Sequence, residues 1–196
     1  MPKITETLDY RWPSRGDRLL RSKNGRGHVV FSNHGGRHAE IWMGYMRAGD
    51  KLIDAFMNEP RGAQGELIYP ILFCYRHALE MALKWMISRY GDKPPKADHN
   101  LWQQWSAVLE IIGGVGHDRD DGVEAAGKLI KEMHDADRSS ETFRYAVNKD
   151  RALLRLPDGP IDLKNLKDVM KALSNFFDGL DAGLDELTSY NDEYYP

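Results

Sequence analysis

The sequence predicts an all-α fold, an antiparallel bundle of about five helices behind an irregular N-terminal arm. Two observations predict it. Five segments carry apolar residues at helical three-and-four spacing, and the connections between them are short and rich in Gly, Pro and Asp. With 196 residues, 41% hydrophobic and 29% charged, the chain suits one domain with an appended arm and can bury a sizeable core.

The arm comes first. Residues 1–37 hold eight Lys and Arg against Glu6, Asp9 and Asp17, and Pro13, Gly16, Gly25, Gly27, Gly35 and Gly36 interrupt any helix. "GHVVFSN" (27–33) is compatible with one short strand. A basic arm can track phosphates; it can equally neutralise the acidic 178–196 segment, which has six acids and no base.

The bundle domain is expected over residues 38–190. Its first helix, roughly 38–58, turns Ile41, Tyr45, Leu52, Phe56 and their neighbours to one side, weakened by Gly44 and Gly49. The second, roughly 67–90, is apolar nearly all round, as a central buried helix should be. Pro70 fits its first turn and Gly91 ends it. The third runs roughly 100–112, with Asp98 or Asn100 as cap, and stops at Gly113-Gly114. The fourth runs roughly 121–135 with Val123, Ala126, Leu129, Ile130 and Met133 in phase. Residues 137–160 are irregular, with "ALLRLP" extended. Asp162 caps the fifth helix, roughly 163–188.

Inside the second helix lie Arg76, Glu80 and Lys84 at i, i+4, i+8, with His77 beside them. This spacing puts them on one face, where Arg, Glu and Lys pair in sequence for a few tenths of a kcal/mol each if solvated. The flanking residues are apolar, so the stripe is either the helix's one wet face or a buried network that must be fully paired. Two segments offer partners. "DHNLWQQW" (98–105) places His99 before the third helix. "DADRSSETFRYA" (135–146) supplies Asp137, Ser140, Arg144 and Tyr145 in a loop, where binding groups concentrate. The bland alternative has Phe143 and Tyr145 plugging the bundle and Arg144 paired with an acid. Trp42, Trp85, Trp102 and Trp105 suit the core or a dimer face.

Taken in order, "YPILFCYRHALEMALKWMI", "HNLWQQW", "DADRSSETFRYA" and a long last helix resemble the HEPN superfamily of small helical domains. More narrowly they resemble its uncharacterised bacterial members with an "RHxxExxLK" helix, an "HxLxxLW"-type helix start and a "DxxSxxFRY" loop. The resemblance spans roughly residues 66–180. It implies a bundle that dimerises and either cleaves RNA without metal, binds RNA or nucleotides, or acts as a scaffold, in some members within toxin–antitoxin or defence systems. The ribonuclease members carry Arg with a His four to six residues on. No Arg here is so placed: Arg76 and His77 are adjacent, and Arg26 and His34 are too far apart. A divergent catalytic site would draw on His77, His99 and Arg144, with a histidine as base on the 2′-hydroxyl and arginine on the phosphate. Arg76, Glu80, Lys84, Asp137, Ser140 and Tyr145 would line it. No cofactor is implied. The alternative is a non-catalytic interaction module in which Arg76, Glu80, Lys84, His99 and Arg144 form a structural polar network that fixes helix register.

Other chemistries find less support. His117-Asp118 resembles the pair of HD-type metal phosphohydrolases, which needs further ligands from other helices. His34 and His38 flank Gly-Gly, a poor ligand pair, although "HGGRH" could hold an anion through backbone N–H groups. P-loop, GxGxxG, HExxH, CxxC and GxSxG patterns are absent. The longest apolar run, "LIYPILFCY", is too short to span a membrane, and the N-terminus has no apolar leader. The single Cys74 and these absences place the chain in a reducing cytoplasm.

Overall fold

Five α-helices and one 3₁₀ turn make up the computed structural model, which describes residues 12–20, 37–58, 64–116 and 120–194. The chain divides into two units, Met1–Asn33 and His34–Pro196. In the first, the described residues form a turn in which Ser14 N donates to Asp17 Oδ2 (2.7 Å). The expected strand at 27–33 lies outside the described residues, as do His34, His117 and Asp118.

The second unit is the bundle. Helix α1 spans Arg37–Asn58, α2 Ile68–Tyr90, α3 Leu101–Gly114, α4 Asp121–Ala136 and α5 Leu163–Tyr194; the 3₁₀ turn is Gln64–Glu66. Helix α2 is central. It packs on α1, α3 and α5, while α3 packs on α4 and α1 on α5. Its buried residues cover most of the helix surface, from Ile71 and Tyr75 to Leu83 and Met86. Tyr69, Phe73, His77, Lys84 and Ser88 are not buried and share one narrow strip, and Arg76 and Glu80 lie buried at its edge, where they must be paired.

Local chemistry sets the helix limits. Asn100 caps α3, its Oδ1 accepting from Gln103 N (3.0 Å). Asp162 does the same for α5 through Lys164 N and Asn165 N (both 3.0 Å). At the end of α2 Gly91 is extended (φ −91°), not left-handed, and glycine is needed for space: a Cβ would sit 2.7 Å from the Ile87 carbonyl oxygen. Helix α1 buries Trp42, Met46, Gly49 and Ile53. Its seam thus lies one residue on from Ile41, Tyr45 and Leu52, which pack half-buried beside it. The reason is Gly49, whose bare Cα lets the fully buried Tyr75 ring approach. Tyr75 donates from its hydroxyl to Asp50 Oδ1 (2.7 Å). Trp42 and Trp105 are core, whereas Trp102 is partly exposed beneath Lys131. Helix α5 continues to Tyr194, past the expected stop near 188, because no Gly or Pro interrupts it there.

Residues 137–162 are irregular. A single antiparallel bridge, Val147 to Leu153, is the only β pairing among the described residues.

Candidate functional site

Arg76 is the second-largest fully buried residue among those described and has no exposed surface. Each of its three nitrogens is engaged. Nη1 donates to Glu80 Oε2 (2.9 Å), Nη2 to the His99 carbonyl (2.6 Å) and Nε to the Asp137 carbonyl (3.0 Å). Asp137 Oδ2 adds an ion pair at 3.3 Å. Glu80, 1% exposed, accepts on its other oxygen from Lys84 Nζ (2.8 Å) and His99 Nδ1 (2.9 Å). A carboxylate there can only accept, so the His99 proton sits on Nδ1. Burial alone would push the Glu80 carboxyl up; the hydrogen bonds from Lys84 and His99 outweigh it and hold the group below its ordinary value. The stripe is therefore a paired network centred on the buried Arg76 and Glu80, with Lys84 partly exposed and the His99 ring about half exposed at its edge, and not a fully solvated face.

The network reaches the 137–145 loop. Asp137 Oδ1 accepts from Glu141 N (2.9 Å) and Thr142 N (3.1 Å), which coils the loop back on the end of α4. Ser140, 2% exposed, takes a left-handed conformation (φ 62°). Its carbonyl accepts from Arg144 Nε (2.5 Å).

Arg144 opens a second, different cluster. Its guanidinium lies 5.7 Å from the Phe73 ring centre and 5.1 Å from that of Tyr145. Phe73 stacks on His77, with ring centres 5.6 Å apart and planes 16° apart. Tyr45 of α1 meets His77 edge-on at 4.5 Å. Phe143 turns inward, 4% exposed, and Tyr145 outward, 55% exposed. Among the described residues no carboxylate pairs with Arg144, so the expectation of an acid partner and of Tyr145 as a core plug is overturned. In this irregular segment Thr142 and Phe143 are both buried, and the chain then runs exposed from Arg144 to Val147. Burial lowers the His77 imidazole below its ordinary value, Glu80 opposing and Arg76 adding to the effect; the ring is neutral at neutral pH.

The sequence-derived residues thus separate into two groups. Arg76, Glu80, Lys84, His99 and Asp137 form the paired network. His77, Arg144 and Tyr145 form the open cluster, with Ser140 holding Arg144. No hydrogen bond joins His77, His99 and Arg144 among the described residues. Phe73 and Tyr45 were missed. Phe73 stands one turn before His77 and could have been found by spacing; Tyr45 comes from another helix and gave no signal. No group of three or more His, Cys, Asp or Glu is arranged to hold a metal among the described residues, and no described helix is long and apolar enough to cross a membrane.

Comparison of the chain with models of protein families, with characterised proteins and with solved structures gives no match.

Proposed function

We propose that this protein is a non-catalytic, HEPN-like binding module that holds RNA or a nucleotide on the open face made by Phe73, His77, Arg144 and Tyr145. One observation carries the reading: an exposed arginine backed by two aromatic rings, with no carboxylate pairing it among the described residues. Nε is held by Ser140, which leaves the two terminal nitrogens as a fork for a phosphate. The exposed Tyr145 ring offers a stacking surface for a base. Cleavage is not part of the reading, because the His99 ring is turned to Glu80 through Nδ1 and no hydrogen bond joins it to His77 or Arg144 among the described residues.

The test is fluorescence anisotropy with a labelled single-stranded RNA of about ten nucleotides, run beside a cleavage gel in EDTA. Arg144→Ala and Tyr145→Ala should each weaken binding by roughly tenfold, and the RNA should stay intact. Unchanged binding by Arg144→Ala refutes the site. Metal-free cleavage lost in folded His77→Ala would make the module an enzyme.

A further inference from the structure

Gln104 of α3 is 3% exposed. Its Nε2 donates to the Asp98 carbonyl (3.1 Å), which fixes which end of the carboxamide is the nitrogen. Its Oε1 is buried and accepts no hydrogen bond among the described residues. A buried acceptor without a donor is costly to the fold, so it marks a place where a donor from outside would bind.

Gln104 stands in the wall of a cavity of about 1050 Å³, bounded by α3, the 91–98 connection and residues 184–188 of α5. Ile87, Pro94, Pro95, Ile111, Leu184 and Leu187 give this cavity apolar walls. Its far end is electronegative. Helix α2 ends there at Tyr90 and α3 at Gly114, and Gly91 stands against Ile111, so two helices bring the carbonyl poles of their dipoles to the cavity. Helix α3 has no basic residue in its last turn, and Arg89 of α2 is committed to Asp185. Asp92 and Glu110 line the same region, and neither has an ion-pair partner among the described residues.

The lining as a whole carries Asp92, Asp98 and Glu110 against Lys93 and Lys96, a net charge of −1. Lys96 is already engaged, because the Gln103 carboxamide accepts from its Nζ (2.6 Å) while donating to Asp98 Oδ2 (3.0 Å). Gln104 and Glu110 are about 9 Å apart along the α3 axis. A buried acceptor at one end, carboxylates and helix carbonyls at the other, and hydrocarbon walls between them suit a molecule with N–H donors at both ends and an aliphatic middle.

We propose that this cavity binds a linear aliphatic polyamine, one nitrogen donating to Gln104 Oε1 and another held by Glu110 and the ends of α2 and α3. The proposal goes beyond the RNA reading and shares no residue with it.

Isothermal titration calorimetry of the full chain with spermidine, in about 150 mM NaCl to screen loose surface binding, tests it. One saturable site with a Kd of about 10–100 µM is expected, and adipate, a dianion of similar length, should not bind. Glu110→Gln should weaken spermidine about fivefold, and Lys93→Gln should tighten it about twofold. Gln104→Met, which keeps the bulk and removes the acceptor, should weaken it about tenfold once circular dichroism shows the variant folded. If that variant does not fold, the two exposed charge positions decide alone. Arg144→Ala should leave spermidine binding unchanged, so the two readings fail separately. No saturable binding below about 1 mM, or equal binding of adipate, overturns the proposal. So do Glu110→Gln and Lys93→Gln variants that bind like the wild type, and so does a folded Gln104→Met that does.

Discussion

Removal of the Glu80 carboxylate is the sharpest test of the buried network. Glu80→Ala deletes the acceptor for Arg76, Lys84 and His99 together. Breaking a buried ion pair from one side costs about 3–5 kcal/mol, because a cation is left without its partner in low dielectric. Here the cost falls toward the lower end. Arg76 keeps Asp137 at 3.3 Å and two backbone carbonyls. Lys84 is 14% exposed along its side chain and can turn to water. About 3–4 kcal/mol is expected, which for a chain of this length lowers the melting temperature by about 6–16 °C. Thermal and urea melts followed by far-UV circular dichroism measure it. A loss under about 1 kcal/mol, the value typical of a solvated pair, would refute the network as a stabilising element and return Arg76 to the surface.

Two further tests probe packing and protonation. Gly49→Ala should destabilise by about 1–3 kcal/mol, because its Cβ would stand 2.6 Å from a Tyr75 ring pinned by Asp50, whereas Gly44→Ala, with nothing within 4 Å, should stabilise by up to about 1 kcal/mol; equal effects at both positions would refute the close-approach argument. His77 and His134 are both held below the ordinary 6.5 by burial, so as pH falls below that value the unfolded chain takes up protons that the folded chain refuses, and stability drops. Glu80 adds a further loss as pH falls from 4.5 through its depressed folded value. Urea midpoints measured from pH 7 downward should decline, less steeply in His77→Gln; a flat or rising profile would contradict the assignment.

Much of the fold was legible because helix signals are local. Asn100 and Asp162 announce the starts of α3 and α5, and the Arg76–Glu80 and Glu80–Lys84 contacts follow from i, i+4 spacing alone. The burial of those charges was not legible. It depends on coverage by the 98–100 junction and by Asp137, 61 residues away in sequence. The open cluster was half legible for the same reason. Its residues could be nominated from the loop, but which of Phe143 and Tyr145 faces outward is set by an irregular backbone that carries no period.

Why a charge should stand at the centre of an apolar helix follows from where two loops end. The carbonyls of His99 and Asp137 belong to residues just outside α3 and α4, and both point at α2. Buried carbonyls need donors, and α2's own N–H groups are committed within the helix. No apolar side chain could satisfy them. A guanidinium meets two carbonyls and a carboxylate at once from one planar fork, which lysine, a point donor on a flexible stem, does not. Glu80 then neutralises the arginine, and Lys84 and His99 satisfy the remaining oxygen of Glu80. The same bond that serves the Asp137 carbonyl ties the root of the 137–145 loop to the core. Arg144 and Tyr145 therefore project from a loop anchored at its base, and the face they form is held in place by the residues that the bundle needs for its own closure.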